Sequence, residues 1–419
     1  MKKIFHNISV LHGVDQVGTF RTGNQMQEIN SLSDAFFVVE NGKIVKIGSG
    51  ECTENGEFIS LGGCEVLPGF VDSHTHIVFA APRHDEFEMR IKGAGYEEIA
   101  AAGGGILNSA LKLKEMSEDD LFEQAKKRVI TMIQHGTTAI EIKSGYGLSV
   151  DSEIKMLRVI KRLKQHFPAI IKATFLGAHA FPKEYKSRPE DYIKLIVNDM
   201  LPQIVSEDLA DHIDVFCDRG FFTPEQTDFI LKAGIKYSLP GKIHGNELGL
   251  TGGVQVAVAN EAWSVDHLEH CSEIEFELLR QSMKQPYGGT MAVALPGTSY
   301  FLGIPYSPTR KMIDFDLPVA LATDFNPGSS PICSLQTIWA LACTQMKMLP
   351  IEAFYAITIN AARALRLEKE VGSFTVGKQA DFVVVESPNA IQAIPYFLGQ
   401  NHAKNTYIKG ELFLASNYQ

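Results

Sequence analysis

Short apolar runs rich in β-branched residues recur eight times through the middle of this chain, and helix-like stretches separate them. The first run contains Val71. The others lie near 137–142, 170–176, 212–217, 236–243, 264–268, 291–295 and 319–323. Ser117 is a suitable N-cap for a stretch to Gln134 in which Leu121, Ala125, Val129 and Met132 recur at helical spacing. Residues 151–165 repeat that spacing with Ile154, Leu157, Ile160 and Leu163. Thr223-Pro224-Glu225 supplies a cap, then a proline at the first helical position, then an acid in the first turn. Strand–helix alternation implies parallel strands joined by crossovers. Eight units over roughly 300 residues predict an α/β chain built on a (β/α)8 TIM barrel. The competing topology is an open doubly wound sheet, which a glycine-rich phosphate loop would favour. Gly103-Gly104-Gly105 is no such loop, because it follows no strand and lacks the G-x-G-x-x-G spacing. It reads as a hinge in a long loop after strand 1, a candidate lid.

The two ends have another texture. Residues 35–39 and 43–47 are strand-like and flank Asn41-Gly42, the strongest short hairpin signal. Near the far end, 381–386 reads as a buried strand and 405–413 as a pair around Gly410. We therefore expect a small β-sandwich domain built from both the N- and C-terminal segments, 1–66 and 371–419, around a barrel over 67–370. At 419 residues the chain exceeds the size at which a single core stops growing, about 250–300 residues.

Composition bears on partners and compartment. A net charge of −10 argues against nucleic acid, whose affinity comes largely from Lys and Arg on phosphates. No apolar run approaches the ~18 residues of a membrane span. His6, Asn7 and Ser9 break any apolar leader, and six scattered cysteines form no C-x-x-C. A cytoplasmic location with a small-molecule partner is the expectation.

In a barrel, chemistry sits at the C-terminal ends of the strands. Reactive residue types fall there in six of the eight units. Strand 1 runs into Asp72-Ser73-His74-Thr75-His76, strand 2 into Glu141-Ile142-Lys143-Ser144-Gly145-Tyr146, and strand 3 into Gly177-Ala178-His179. Strand 5 ends in His244-Gly245-Asn246-Glu247, strand 6 carries Asp266-His267-Leu268-Glu269-His270, and strand 8 ends in Thr323-Asp324-Phe325-Asn326-Pro327-Gly328-Ser329. Strands 4 and 7 end in the less telling Asp218-Arg219 and Pro296-Gly297.

Side chains at i and i+2 of a strand share a face, so His74 and His76 stand side by side. Alone they are as easily two surface histidines beside a turn. With His244 and Asp324 they make a set of three imidazoles and one carboxylate. Such a set suits Zn2+ or Fe2+ and not the oxygen-seeking Mg2+ or Ca2+. Asp324, otherwise a turn carboxylate before Asn-Pro-Gly, is a candidate proton carrier. Glu247 is a candidate holder of the attacking water or of a ring N–H. His267 is a candidate carbonyl polariser, against the plainer reading of a satisfied core histidine. His270 competes with it from further past the strand. Lys143 pairs with Glu141 or, after carbamylation, bridges two metals.

This constellation resembles the amidohydrolase superfamily. The longer stretches E-I-K-S-G-Y-G-L (141–148), F-L-G-A-H-A (175–180), D-V-F-C (214–217) and D-F-N-P-G-S (324–329) are similar to the imidazolonepropionase family within it. The resemblance implies hydrolysis of 4-imidazolone-5-propanoate to N-formimidoyl-L-glutamate, the third step of histidine degradation. It implies one Zn2+ or Fe2+/Fe3+ per subunit on His74, His76, His244 and Asp324, and a homodimer. It also implies catalytic roles for Asp324, His267 and Glu247. Substrate binding falls to Arg83, Tyr146, His179, Glu247, Asn326, Gly328 and Ser329. Arg83 would take the propionate bidentately, and the N–H groups of Gly328 and Ser329 would approach a carboxylate. Asn246 stands where the family more often has an acid. Two other readings are an aminohydrolase of purines on the same metal set and a catalytically dead barrel used as a scaffold. Arg83 with Tyr146 counts against the first, and four intact ligands count against the second.

Overall fold

The chain, described by a computed structural model over residues 2–15, 19–94, 98 and 104–418, begins with β1 (Lys3–His12), β2 (Ser31–Glu40) and β3 (Lys43–Ser49). β2 and β3 form the expected hairpin, and Asn41 and Gly42 both adopt the positive φ (52° and 74°) of a two-residue primed turn. β4 (Glu57–Pro68) then leads into eight short strands: β5 (Phe70–Asp72), β6 (Thr137–Lys143), β7 (Ile170–Ala178), β8 (His212–Cys217), β9 (Gly241–Gly245), β10 (Ser264–His267), β11 (Met291–Ala294) and β12 (Val319–Leu321). The chain closes with β13 (Phe382–Val385), β14 (Ala403–Ile408) and β15 (Glu411–Leu412).

β5 to β12 lie side by side in chain order, every neighbour parallel, with helices between them. Ser117 caps the helix Glu118–Gln134 by accepting from the Asp120 N–H at 3.1 Å, and Thr223 caps Pro224–Ile235 with a reciprocal box to Gln226. The seam between first and last strands closes just beyond their ends. There the Asp324 N–H donates to the His74 carbonyl (3.0 Å) and the His76 N–H to the Phe325 carbonyl (2.9 Å). The barrel is thus closed by the backbone of three predicted ligands.

The fifth strand differs from the sequence expectation of 236–243. Residues 236–239 finish the preceding helix instead: the Tyr237 and Leu239 N–H groups both donate to the Gly234 carbonyl, and Ser238 takes a φ of 62°. Apolar residues at a helix end imitate a strand, and only the turn's hydrogen bonds separate the two.

The terminal segments build one seven-stranded mixed sheet, ordered β15-β14-β13-β4-β1-β2-β3. Phe37 on β2 and Phe382 on β13 have ring centroids 5.0 Å apart, although two strands separate theirs. A flat sheet would hold them about 14 Å apart at ~4.8 Å per strand. The sheet therefore folds over on itself around Phe5, Phe37, Phe374, Phe382 and Tyr407. Gly69 joins this sheet to the barrel, and a Cβ there would lie 2.2 Å from Thr138 Oγ1.

Candidate active site

His74, His76 and His244 are buried at the barrel's C-terminal end with their Nε2 atoms facing one another. His76 Nε2 is 3.2 Å from His74 Nε2 and 3.3 Å from His244 Nε2. Asp324 Oδ1 lies 3.4 Å from His74 Nε2 and 3.5 Å from His76 Nε2. A tetrahedral ion with arms of ~2.0–2.1 Å spaces its ligand atoms about 3.3–3.4 Å apart. These four spacings are therefore the size of those in a zinc or iron centre.

The far side of two rings explains which nitrogens point inward. His74 Nδ1 lies 2.6 Å from Asp266 Oδ2, and His244 Nδ1 lies 3.0 Å from Asp214 Oδ2. A carboxylate on Nδ1 keeps the proton there and leaves the Nε2 lone pair for a cation. Burial, with Lys143 nearby for His74 and His244 for His76, holds the pKa of both His74 and His76 well below the ordinary value, so both rings are neutral. Lone pairs this close repel unless something positive sits between them, and the residues fit a metal on that ground.

Asp214 and Asp266 belong to a fully buried polar layer under the histidines. Lys143 Nζ reaches Asp214 Oδ2 (2.7 Å), Glu141 Oε1 (3.1 Å) and Asp266 Oδ2 (3.5 Å). Lys242 Nζ reaches Glu141 Oε2 (2.5 Å) and the Ser73 carbonyl (3.0 Å). Ringed by carboxylates that outweigh burial, Lys143 is held as an ammonium, its pKa above the ordinary lysine value. Three carboxylates thus take up the Nζ that a carbamylated bridge would need free. The partner of Lys143 expected from sequence, Glu141, is one of three.

Thr298, past β11, donates to Asp324 Oδ2 at 2.6 Å and leaves Oδ1 on the histidines. Burial raises the Asp324 pKa above the ordinary carboxylate value. His267 sits between two acids, with Nε2 3.7 Å from Glu247 Oε2 and Nδ1 3.7 Å from Glu269 Oε2. Burial opposes charge on this ring, but Glu247 and Glu269 outweigh it and lift the pKa to about 10. Burial pushes Glu247 up to about 7. The backbone is left-handed at Asn246, His267, Leu268 and Asp324 (φ 58°, 84°, 64° and 51°). Non-glycine residues hold such conformations only where surrounding structure imposes them, commonly at working sites.

His179 stacks on His76 (centroids 5.4 Å, planes 17° apart), and its Nδ1–H donates to the Gly145 carbonyl at 3.0 Å. Burial, aided by His244, lowers its pKa to about 3, so Nε2 is an acceptor. Tyr146 is buried edge-on to both His76 and His179. Arg83 lies against the strand-8 loop, where a Cβ on Gly328 would come within 2.2 Å of its Nη1. Arg83 Nη2 donates to Glu86 Oε2 at 2.5 Å, and the Gly105 N–H donates to Glu86 Oε1 at 2.9 Å.

Some expectations take a different form. The N–H groups of Gly328 and Ser329 both donate to Asn326 Oδ1 at 2.8 Å, so they shape the loop and do not point at a ligand carboxylate. Asn326 follows a strand end and makes its own turn, which absorbs those donors. Asn326 Nδ2 donates to Ser329 Oγ, which keeps the Ser329 hydroxyl proton for another partner. His270 braces the loop after β9: its Nδ1–H donates to the Glu247 carbonyl (2.9 Å), and Asn246 Nδ2 donates to the His270 carbonyl (3.0 Å). Asn246 and His270 thus position Glu247 from either side. Gly103 of the candidate lid hinge lies outside the described residues; Gly105 opens the helix Gly105–Glu115.

Sequence reasoning gave no role to Asp214, Asp266, Lys242 and Thr298. Asp214 and Asp266 stand inside noted motifs, two residues after His212 and one before His267, and an acid in mid-strand on a barrel whose other strand ends carry histidines was the available signal.

A barrel with three buried histidines converging at its C-terminal end, and Asp324 against two of them, is the frame of a metal-dependent hydrolase, and residues 66–413 match the amidohydrolase family, to which the chain belongs. A curated imidazolonepropionase from Flavobacterium psychrophilum is 47% identical over 420 residues, covering 98% of this chain and 100% of that protein. One from Alkaliphilus oremlandii is 42% identical over 413 residues, covering 97% and 96%. These matches place the chain among the imidazolonepropionases of that family. Among solved structures, a guanine deaminase from C. acetobutylicum with bound guanine superimposes with a TM-score of 0.74 at 18% identity, covering 99% of this chain and 100% of that one. That likeness speaks to the fold alone.

Proposed function

We propose that this enzyme opens the ring of 4-imidazolone-5-propanoate by hydrolysis, yielding N-formimidoyl-L-glutamate in the degradation of histidine. The observation that carries the reading is the convergence of the His74, His76 and His244 Nε2 atoms, with Asp324 Oδ1 against the first two rings and Arg83 on the adjoining loop. His74, His76, His244 and Asp324 would hold one zinc or iron ion per subunit, which would supply an acidified water and a Lewis acid for the carbonyl. Asp324 Oδ1 takes the proton of the attacking water and delivers it to the departing ring nitrogen as the C–N bond opens. His267, charged between its two glutamates, donates to the oxygen that gains negative charge. Glu247 receives the ring N–H and fixes which carbonyl faces the water. Arg83 binds the propionate, with Ser329 and Asn326 beside it, while Tyr146 and His179 wall the ring.

The division into a barrel over 67–370 and a β domain from 1–66 and 371–419 belongs to the same reading. So do a homodimer and a cytoplasmic setting. All six cysteines are free, and no described helix is long and apolar enough to cross a membrane.

The test follows ultraviolet loss of the imidazolone ring. Turnover should vanish on chelation and return with Zn2+ or Fe2+. Arg83→Ala should raise KM strongly with metal content unchanged. A wild type that ignores this substrate but deaminates a purine rapidly would overturn the assignment.

A further inference from the structure

Tyr146 and His179 stand on two different loops, and something must hold those loops in register. Glu153 lies in the helix Val150–His166, fully buried, and has no part in the chemistry above. Its Oε2 accepts the Gly145 N–H at 3.0 Å, and its Oε1 accepts the Gly147 N–H at 2.6 Å and the Leu148 N–H at 3.0 Å. Three amides around one carboxylate form a closed anion nest. The Ser144 hydroxyl also bonds Glu153. Ser144 Oγ in turn accepts the Leu176 N–H on β7 at 2.9 Å.

These bonds bracket Tyr146 on both sides in the chain. They also reach His179 twice, through Ser144 to β7 and through Gly145, whose carbonyl accepts the His179 Nδ1–H. The loop needs such a clamp, because Gly145 and Leu148 are left-handed (φ 109° and 51°). Contact is close: a Cβ on Gly147 would fall 2.4 Å from the Glu153 nitrogen, and one on Gly145 would fall 2.9 Å from His179 Nδ1.

We propose that Glu153 is a positioning residue that sets Tyr146 and His179 against the ligand as one unit, by clamping the amides of Gly145, Gly147 and Leu148. The inference rests on the reading of Tyr146 and His179 as the walls of the substrate ring. Glu153→Gln is the sharpest probe. One remaining oxygen can keep Gly147 and Leu148, but the new amide NH2 then faces the Gly145 N–H. The variant therefore frees the residue whose carbonyl holds His179.

The experiment compares wild type, Glu153→Gln, His179→Asn and the double variant, each assayed for metal content and for kinetics on 4-imidazolone-5-propanoate. Glu153→Gln should keep its metal, raise KM about tenfold or more and hold kcat within about threefold, the mark of lost binding common to ground and transition states. In the His179→Asn background the same change should move KM less than about twofold. Additive effects, or an unchanged KM, overturn the proposal. Should Glu153→Gln fail to fold, Ser144→Ala should give the same KM-against-kcat split at smaller size, and its absence there overturns the proposal too. Hydrogen exchange over residues 144–149, read without substrate, separates the two readings. Amides exposed in Glu153→Gln beside a wild type that does not open the imidazolone sink the substrate and leave the clamp. Amides still protected beside a fully active wild type sink the clamp.

Discussion

Two buried clusters hold this molecule together by opposite means. The terminal sheet encloses rings: Phe5 stacks on Phe37, Phe382 stacks on Tyr407, and the two pairs meet edge to face. The barrel's C-terminal end encloses charge: Lys143, Lys242, Glu141, Asp214 and Asp266, all fully buried, under three histidines and Asp324. Apolar packing is non-directional and degrades gradually as volume is lost. A buried ionic layer is directional, and removing one member leaves its partners charged with nothing to answer them. The first cluster supplies stability. The second holds imidazoles in one tautomer and one orientation, which is what a metal requires.

Substitutions can break that contrast, from the largest effect downward. Lys143→Met strands Glu141, Asp214 and Asp266, and should cost about 3–5 kcal/mol in denaturant unfolding while abolishing metal retention. Phe382→Ala should cost a similar ~3–5 kcal/mol, yet the folded fraction should keep full metal content and unchanged kcat/KM. If both variants lose metal in proportion to stability, the two clusters do not differ in the way described. Asp266→Asn keeps the shape but no longer holds the proton on His74 Nδ1. It should weaken metal binding about 10–100-fold by chelator competition, with a small change in the melting temperature of the metal-free protein.

The smallest effect concerns pH. Asp381, beside β13, is buried, and burial lifts its pKa to about 6 although Lys409 and Gln379 donate to it. A raised carboxylate means that the folded state binds the extra proton between about pH 4 and 6. Its contribution to stability therefore falls as pH rises through that window and is constant above it. Asp381→Asn should match wild type below about pH 4 and exceed it by on the order of 1–3 kcal/mol above about pH 6. A constant difference across the range would place the effect elsewhere.

The terminal cluster was legible only in outline. Residues 35–39, 43–47 and 381–386 announce strands, but nothing in their spacing says that Phe37 and Phe382 meet across two intervening strands. The barrel was legible in more detail, because its helices carry their own start signals at Ser117 and Thr223 and its strands their β-branched runs. The exception at 236–239 shows the limit: a helix end and a strand start share one apolar texture.

What the sequence by itself determined is the kind of chemistry. His74 and His76 share a strand face, and His244, His267 and Asp324 each follow an apolar run, so the barrel brings them to one end whatever its details. What only the tertiary structure decided is the state each group is in. Asp266 sets the tautomer of His74, and Thr298 frees one oxygen of Asp324. Three carboxylates fix Lys143 as an ammonium, and Asn326 takes up the Gly328 and Ser329 amides that the sequence assigned to a ligand carboxylate. Those contacts join residues as far apart as His74 and Asp266, and protonation and hydrogen-bond direction are set at contact distance. Strand order carries the residues to the site, and only close packing settles their charge and aim.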